Sequence, residues 1–147
     1  MTMHRRPLGR GRMLAAIAGP IIVAGCVLPW WQVGGTPGIP LQAGNAFAGS
    51  GIVVFLVGIA SLALVALPYA AGDAPVGLDR PLSFALLALA GSIGLTWRIV
   101  DLALIGAFQF GQPAQLFTNG PGLWVSGIGL AVLARAAYVM TSEPVYR

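Results

Sequence analysis

Four apolar stretches, each long enough to cross a hydrocarbon core that takes about 20 helical residues, constrain this chain more than anything else in it. They run over residues 13–33, 49–69, 82–107 and 122–140. Backbone placed in lipid must satisfy its own hydrogen bonds, so each stretch is expected to be a helix. Charge is scarce enough to permit this. Only 8% of the 147 residues are charged and 57% are hydrophobic, against roughly 25% charged in soluble domains. The expected fold is all-α: a single integral membrane domain built as a four-helix transmembrane bundle, with the lipid bilayer as its first partner.

Between the stretches lie connections rich in Gly and Pro, which break helix where water or headgroups can satisfy the backbone. The first contains Gly34-Gly35-Thr36-Pro37-Gly38-Ile39-Pro40. The first and third connections carry no charge. The amino-terminal tail of residues 1–12 holds Arg5, Arg6, Arg10 and Arg12, the second connection Asp73, Asp79 and Arg80, and the carboxy-terminal tail Glu143 and Arg147. The positive-inside rule then places both termini and the second connection in the cytoplasm. Arg135 is close enough to its span's end to snorkel to that side. The basic tail has no interleaved aromatics, so topology accounts for it and nucleic acid is not expected as a partner.

All eight cations are Arg, as a GC-rich genome would write them, which suggests a bacterial inner membrane. Trp30, Trp31, Trp97 and Trp124 fall toward the outer span ends and read as an outer aromatic belt, or alternatively as a surface for a stacked lipid or isoprenoid. Small residues four apart, Ala15 with Gly19, Ala90 with Gly94, Gly122 with Ser126 and Gly127 with Ala131, are expected at helix interfaces. Ala48-Gly49-Ser50-Gly51-Ile52 faintly echoes Val125-Ser126-Gly127-Ile128, a weak sign of a duplicated hairpin.

One cysteine and one histidine, Cys26 and His4, leave no disulfide, redox pair or metal cluster to assemble, and no cofactor is expected. Val23-Ala24-Gly25-Cys26 matches a lipoprotein processing motif, which would cleave the chain before Cys26 and leave three spans. The residues that follow, Val27-Leu28-Pro29-Trp30-Trp31, continue the apolar run where a tethered domain needs a polar spacer, so a buried, inert thiol is the preferred reading.

Arg98 and Asp101 are the two charges placed well inside an apolar stretch. Intramembrane charge is a functional candidate by default, and at a separation of three the two can pair on one helical face. Gly91 and Gly94 share that face, so the pair is expected to point into the bundle or toward a protein neighbour. Counted from Leu82, Arg98 lies about 24 Å along a core about 30 Å thick, in the outer quarter. The preferred reading is a structural ion pair fastening the third span; the alternative is contact with a ligand, ion or partner.

Leu28-Pro29-Trp30 after the first span, with Arg98-Ile99-Val100-Asp101 late in the third, resembles small uncharacterised four-span membrane proteins of GC-rich bacteria. The resemblance implies four transmembrane helices and no known activity. In those proteins Asp is often followed by Pro and a loop, whereas here Leu102-Ala103-Leu104-Ile105-Gly106 prolongs the apolar run.

Polar groups toward the outer side are few: Arg98, Asp101, Asn45, Thr118, Asn119 and some glutamines. With no His, no second carboxylate and no cysteine pair among them, catalysis is not expected. The principal expectation is a non-catalytic accessory or scaffolding subunit contacting a membrane protein partner or a second copy of itself. The alternative is a small transporter, channel component or lipid-binding protein using Arg98 and Asp101.

Overall fold

The computed structural model describes residues 9–70, 81–108, 118 and 120–143. Four helices carry the chain: α1 (Arg10–Val27), α2 (Ile52–Ala70), α3 (Pro81–Leu104) and α4 (Pro121–Ser142). Each is long and apolar enough to cross a membrane, so the chain is an all-α, multi-pass membrane protein by length and composition. The tail residues 1–8, with His4, Arg5 and Arg6, lie outside the described residues, as does the second connection with Asp73, Asp79 and Arg80. Arg10 and Arg12 belong to the first turn of α1 rather than to the tail.

Neighbouring helices run antiparallel in an up-down-up-down bundle. α1 packs against α2 and α4, and α3 closes the ring between them. Glycines set the approach. A Cβ on Gly25 of α1 would lie 2.6 Å from the backbone nitrogen of Ser126 in α4, and one on Gly122 would lie 2.6 Å from the Gly25 carbonyl oxygen. Only hydrogen fits at these points, which is how small residues bring helix backbones together in lipid. Gly19 meets Ser61 and Leu62 of α2, so Ala15 and Gly19, both buried, behave as expected. Gly94 faces Val53, but its partner Ala90 is exposed. Gly127 and Ala131 are a correction: Ala131 is exposed, and the nearest neighbour to a Cβ on Gly127 is Leu95 at an ordinary 3.7 Å. A four-residue spacing alone does not say which face of a helix meets protein.

The helix ends also depart from the expected spans. α1 stops at Val27 rather than running to residue 33, because Pro29 has no N–H and disfavours helical geometry in Leu28, which sits at φ −66°, ψ 154°. The chain then forms a short antiparallel ribbon, β1 (Trp31–Val33) and β2 (Gln42–Gly44), with Trp31 opposite Gly44 and Val33 opposite Gln42. A 3₁₀ turn at Ala46–Ala48, capped by the Asn45 side chain accepting from the Phe47 amide at 3.1 Å, leads into α2. α3 ends at Leu104 rather than 107. Gly106, at φ +72°, donates to the Ala103 carbonyl while Ala107 donates to that of Leu102, the paired bonds of a Schellman cap.

The echo between residues 48–52 and 125–128 has no structural counterpart. The first segment is the entry to α2, reaching the helix only at Ile52, and the second lies inside α4, which begins at Pro121.

Candidate functional site

The ends of the bundle differ in construction. At the end where α1 begins and α4 finishes, α1 starts after Gly9, which offers no side-chain cap. Glu143, just past α4, supplies one: its Oε1 accepts from the Gly11 amide at 3.0 Å. A carboxylate there satisfies an orphan amide and complements the positive end of the helix dipole.

The opposite, ribbon end is organised around Trp30. This side chain is fully buried, and its indole N–H donates to the Gly25 carbonyl at 2.9 Å, satisfying one of the last carbonyls of α1. Gly51 at the entry to α2 and Gly122 in the first turn of α4 leave room for the ring, and the Gly122 amide donates to the Pro29 carbonyl at 2.9 Å. Trp30 is therefore a core residue, which corrects its assignment to a surface belt. A tryptophan near the end of an apolar run can face inward as readily as outward, and here two glycines make the space. Trp97 is 66% exposed and Trp124 39%, consistent with surface positions, while Trp31 is half-buried on the ribbon.

Arg98 is at the same end. It continues the inward face of α3, formed by Phe84, Ala88, Gly91, Gly94, Arg98 and Leu102 at spacings of three and four. Its side chain is 8% exposed, and Nη1 lies 3.6 Å from Oδ2 of Asp101, whose side chain is 50% exposed. The expected pair thus forms, but beyond the 2.7–2.9 Å of a charge-assisted hydrogen bond. The guanidinium rests against Gly49, where a Cβ would come within 2.5 Å of Nη1 and 2.9 Å of Cζ. A glycine at this position lets the arginine lie on the entry to α2. Nε of Arg98 and Oγ of Ser50 are both buried without a hydrogen-bond partner.

Cys26 is fully buried with its sulfur 4.0 Å from Ser126 Oγ, so the thiol occupies the α1–α4 seam. Thr118 is exposed and Asn119 lies outside the described residues. Among the described residues no cluster of His, Cys, Asp or Glu is arranged to hold a metal.

Gly49, Ser50 and Glu143 are contributors that the sequence did not single out for these roles. The small residues at 49–51 were visible as a motif, but their proximity to Arg98 depends on how α2 and α3 pack. Glu143 reads from sequence as a solvated tail charge, and only the antiparallel seam brings it to Gly11. The chain matches no protein-family model, no curated protein and no solved structure.

Proposed function

We propose that this chain is a non-catalytic accessory or scaffolding subunit of a membrane assembly, with its termini in the cytoplasm and its ribbon end on the other side, where it contacts a protein partner. The observation that carries this reading is the apolar, uncharged ribbon region. Residues 34–48 contain no charged side chain, and Val33, Ile39, Leu41 and Phe47 are exposed there, Leu41 by 62%. The segment is held by backbone bonds, including Gly35 to Ile39 at 3.1 Å and Ile39 to Thr36 at 2.9 Å. Presenting apolar side chains on a pre-ordered loop lowers the entropy lost on association. The charge asymmetry between connections supports the orientation.

The polar groups within the helices support a contact role over a transport role. The hydroxyls of Ser61 and Ser92 donate to the carbonyls of Gly58 and Ala88 in their own helices, at 2.8 Å and 2.7 Å. A hydrated path needs such groups turned toward a lumen at several depths.

A photo-crosslinking residue at position 39, activated in intact membranes, tests the proposal. The expected result is one protein adduct that co-purifies stoichiometrically with the chain and is lost in Leu41→Asp, while the thermal melting of that variant in detergent stays unchanged. Adducts to lipid alone, or solute-dependent flux through the purified chain in liposomes, would overturn it.

A further inference from the structure

Buried donors without acceptors collect at the ribbon end. Among the described residues, the buried side-chain polar atoms lacking a hydrogen-bond partner are Trp31 Nε1, Ser50 Oγ and Arg98 Nε. Native proteins satisfy nearly all such atoms with protein, water or a bound group. A low-dielectric surrounding makes each orphan more costly. Trp31 Nε1 lies against Gly44 on the ribbon; the other two belong to the contact between α3 and the entry to α2.

At that contact, two positive groups meet. The Arg98 guanidinium lies on Gly49, and Gly49, Ser50 and Gly51 lead directly into Ile52, the first residue of α2. The Gly49 amide closes the 3₁₀ turn of Ala46–Ala48, the amides of Ser50 and Gly51 donate to no acceptor among the described residues, and the carbonyls of all three receive the first bonds of the helix. Unsatisfied amides at a helix start carry the positive end of its dipole and are suited to anions. A cation held there is disfavoured unless negative charge accompanies it. Asp101 supplies one carboxylate, half exposed and 3.6 Å away, which leaves Nε without a partner.

We infer that Arg98 and the Gly49-Ser50-Gly51 entry of α2 form a binding site for a phosphate-class oxyanion. The guanidinium fork would be engaged through Nε and Nη, as in bidentate recognition of phosphate, with the α2 amides and the Ser50 hydroxyl donating to the remaining oxygens. Asp101 holds the guanidinium when the site is empty and competes with the incoming anion. Arg98 lies about 9 Å along the helix from Leu104, within reach of headgroups by snorkelling. The oxyanion is therefore the phosphate of an anionic lipid or free inorganic phosphate. The inference is independent of the partner reading above, since the loss of a protein adduct at position 39 leaves this site untouched.

The test uses the full chain and two probes. Inorganic phosphate is titrated at constant ionic strength while thermal melting is followed in detergent, and native mass spectrometry reads lipid retained after extraction from phosphatidylglycerol or phosphatidylcholine membranes. A phosphate-dependent rise in Tm identifies the free ion, and retained phosphatidylglycerol without that rise identifies the headgroup. In either case Arg98→Gln is expected to weaken binding about tenfold or more, given the strength of hydrogen bonds to charged groups. Gly49→Ala, which keeps the charge but displaces the guanidinium, should weaken it about threefold or more. Asp101→Asn, a near-isosteric change at a half-exposed position, should tighten it about threefold by removing the competitor. Absence of binding to both probes, or unchanged or weaker binding in Asp101→Asn, would overturn the inference even if Arg98→Gln failed to fold.

Discussion

The α1–α4 seam and the surfaces that hold α3 are built on different principles. Along the seam, backbone meets backbone: Gly11 faces the Ala136 carbonyl, Gly25 faces Ser126, Gly129 faces the Ile22 amide, and both ends are fastened, by Glu143 at one and by Trp30 with Gly122 at the other. α3 is held by side chains resting on glycine: Leu130 against Gly91 and Val53 against Gly94. Between α3 and α4 a groove of about 590 Å³ opens along Leu82, Ala85, Leu89, Ala134 and Tyr138. The seam sets backbone against backbone, whereas α3 is attached through side chains, whose contacts are the easier to repack. This matters for function because Arg98, the one buried charge among the described residues, rides on the helix held by side-chain contacts.

Substitutions can break or sharpen this contrast. The largest effect is expected at Trp30→Ala, which empties the junction of α1, α2 and α4. Truncation of a buried Trp costs about 3–5 kcal/mol, and the unfolding midpoint in detergent should fall accordingly. A loss under about 1 kcal/mol would mean that the ribbon end is not a fixed junction.

Next come paired glycine substitutions. Gly25→Ala and Gly122→Ala place a methyl against backbone, which cannot move without parting the helices, and overpacking of this kind costs about 1–3 kcal/mol. Gly91→Ala meets the far end of the flexible Leu130 side chain and should cost less than about 1 kcal/mol. Unfolding midpoints measured side by side check the ranking, and equal losses at the three positions would erase the distinction between seam and α3. The smallest effect is expected for Glu143→Ala, about 1 kcal/mol from loss of the carboxylate at the start of α1. Hydrogen exchange should show faster opening of the first turn of α1 and unchanged protection in α3.

Much of the architecture was readable before any contact was known. The four apolar runs, the spacing that carries Arg98 along the Gly91–Gly94 face, and the pairing of Arg98 with Asp101 follow from helical periodicity. The helix ends were less readable. Apolar residues continue past Val27 and Leu104 in sequence, but Pro29 and Gly106 end the helices there through backbone geometry that hydropathy does not register. The ribbon was not foreseen because two three-residue strands are too short to show an alternating pattern. The site was half legible: its cation stood out by scarcity, while Gly49 and Ser50 read as the small-residue start of the second apolar stretch, with nothing local to link them to Arg98.

By itself the sequence determined the solvent, the number of helices and the positions where charge could not be avoided, since hydropathy and length are local properties. Tertiary structure decided which small residues face protein, why Trp30 is inside while Trp97 is outside, and that a tail glutamate caps a helix more than 130 positions away along the chain. It also decided that Arg98 lies on the start of α2. These are matters of how helices rotate and approach one another in a medium that gives apolar surfaces no preference between lipid and protein, so close packing and polar satisfaction choose the arrangement.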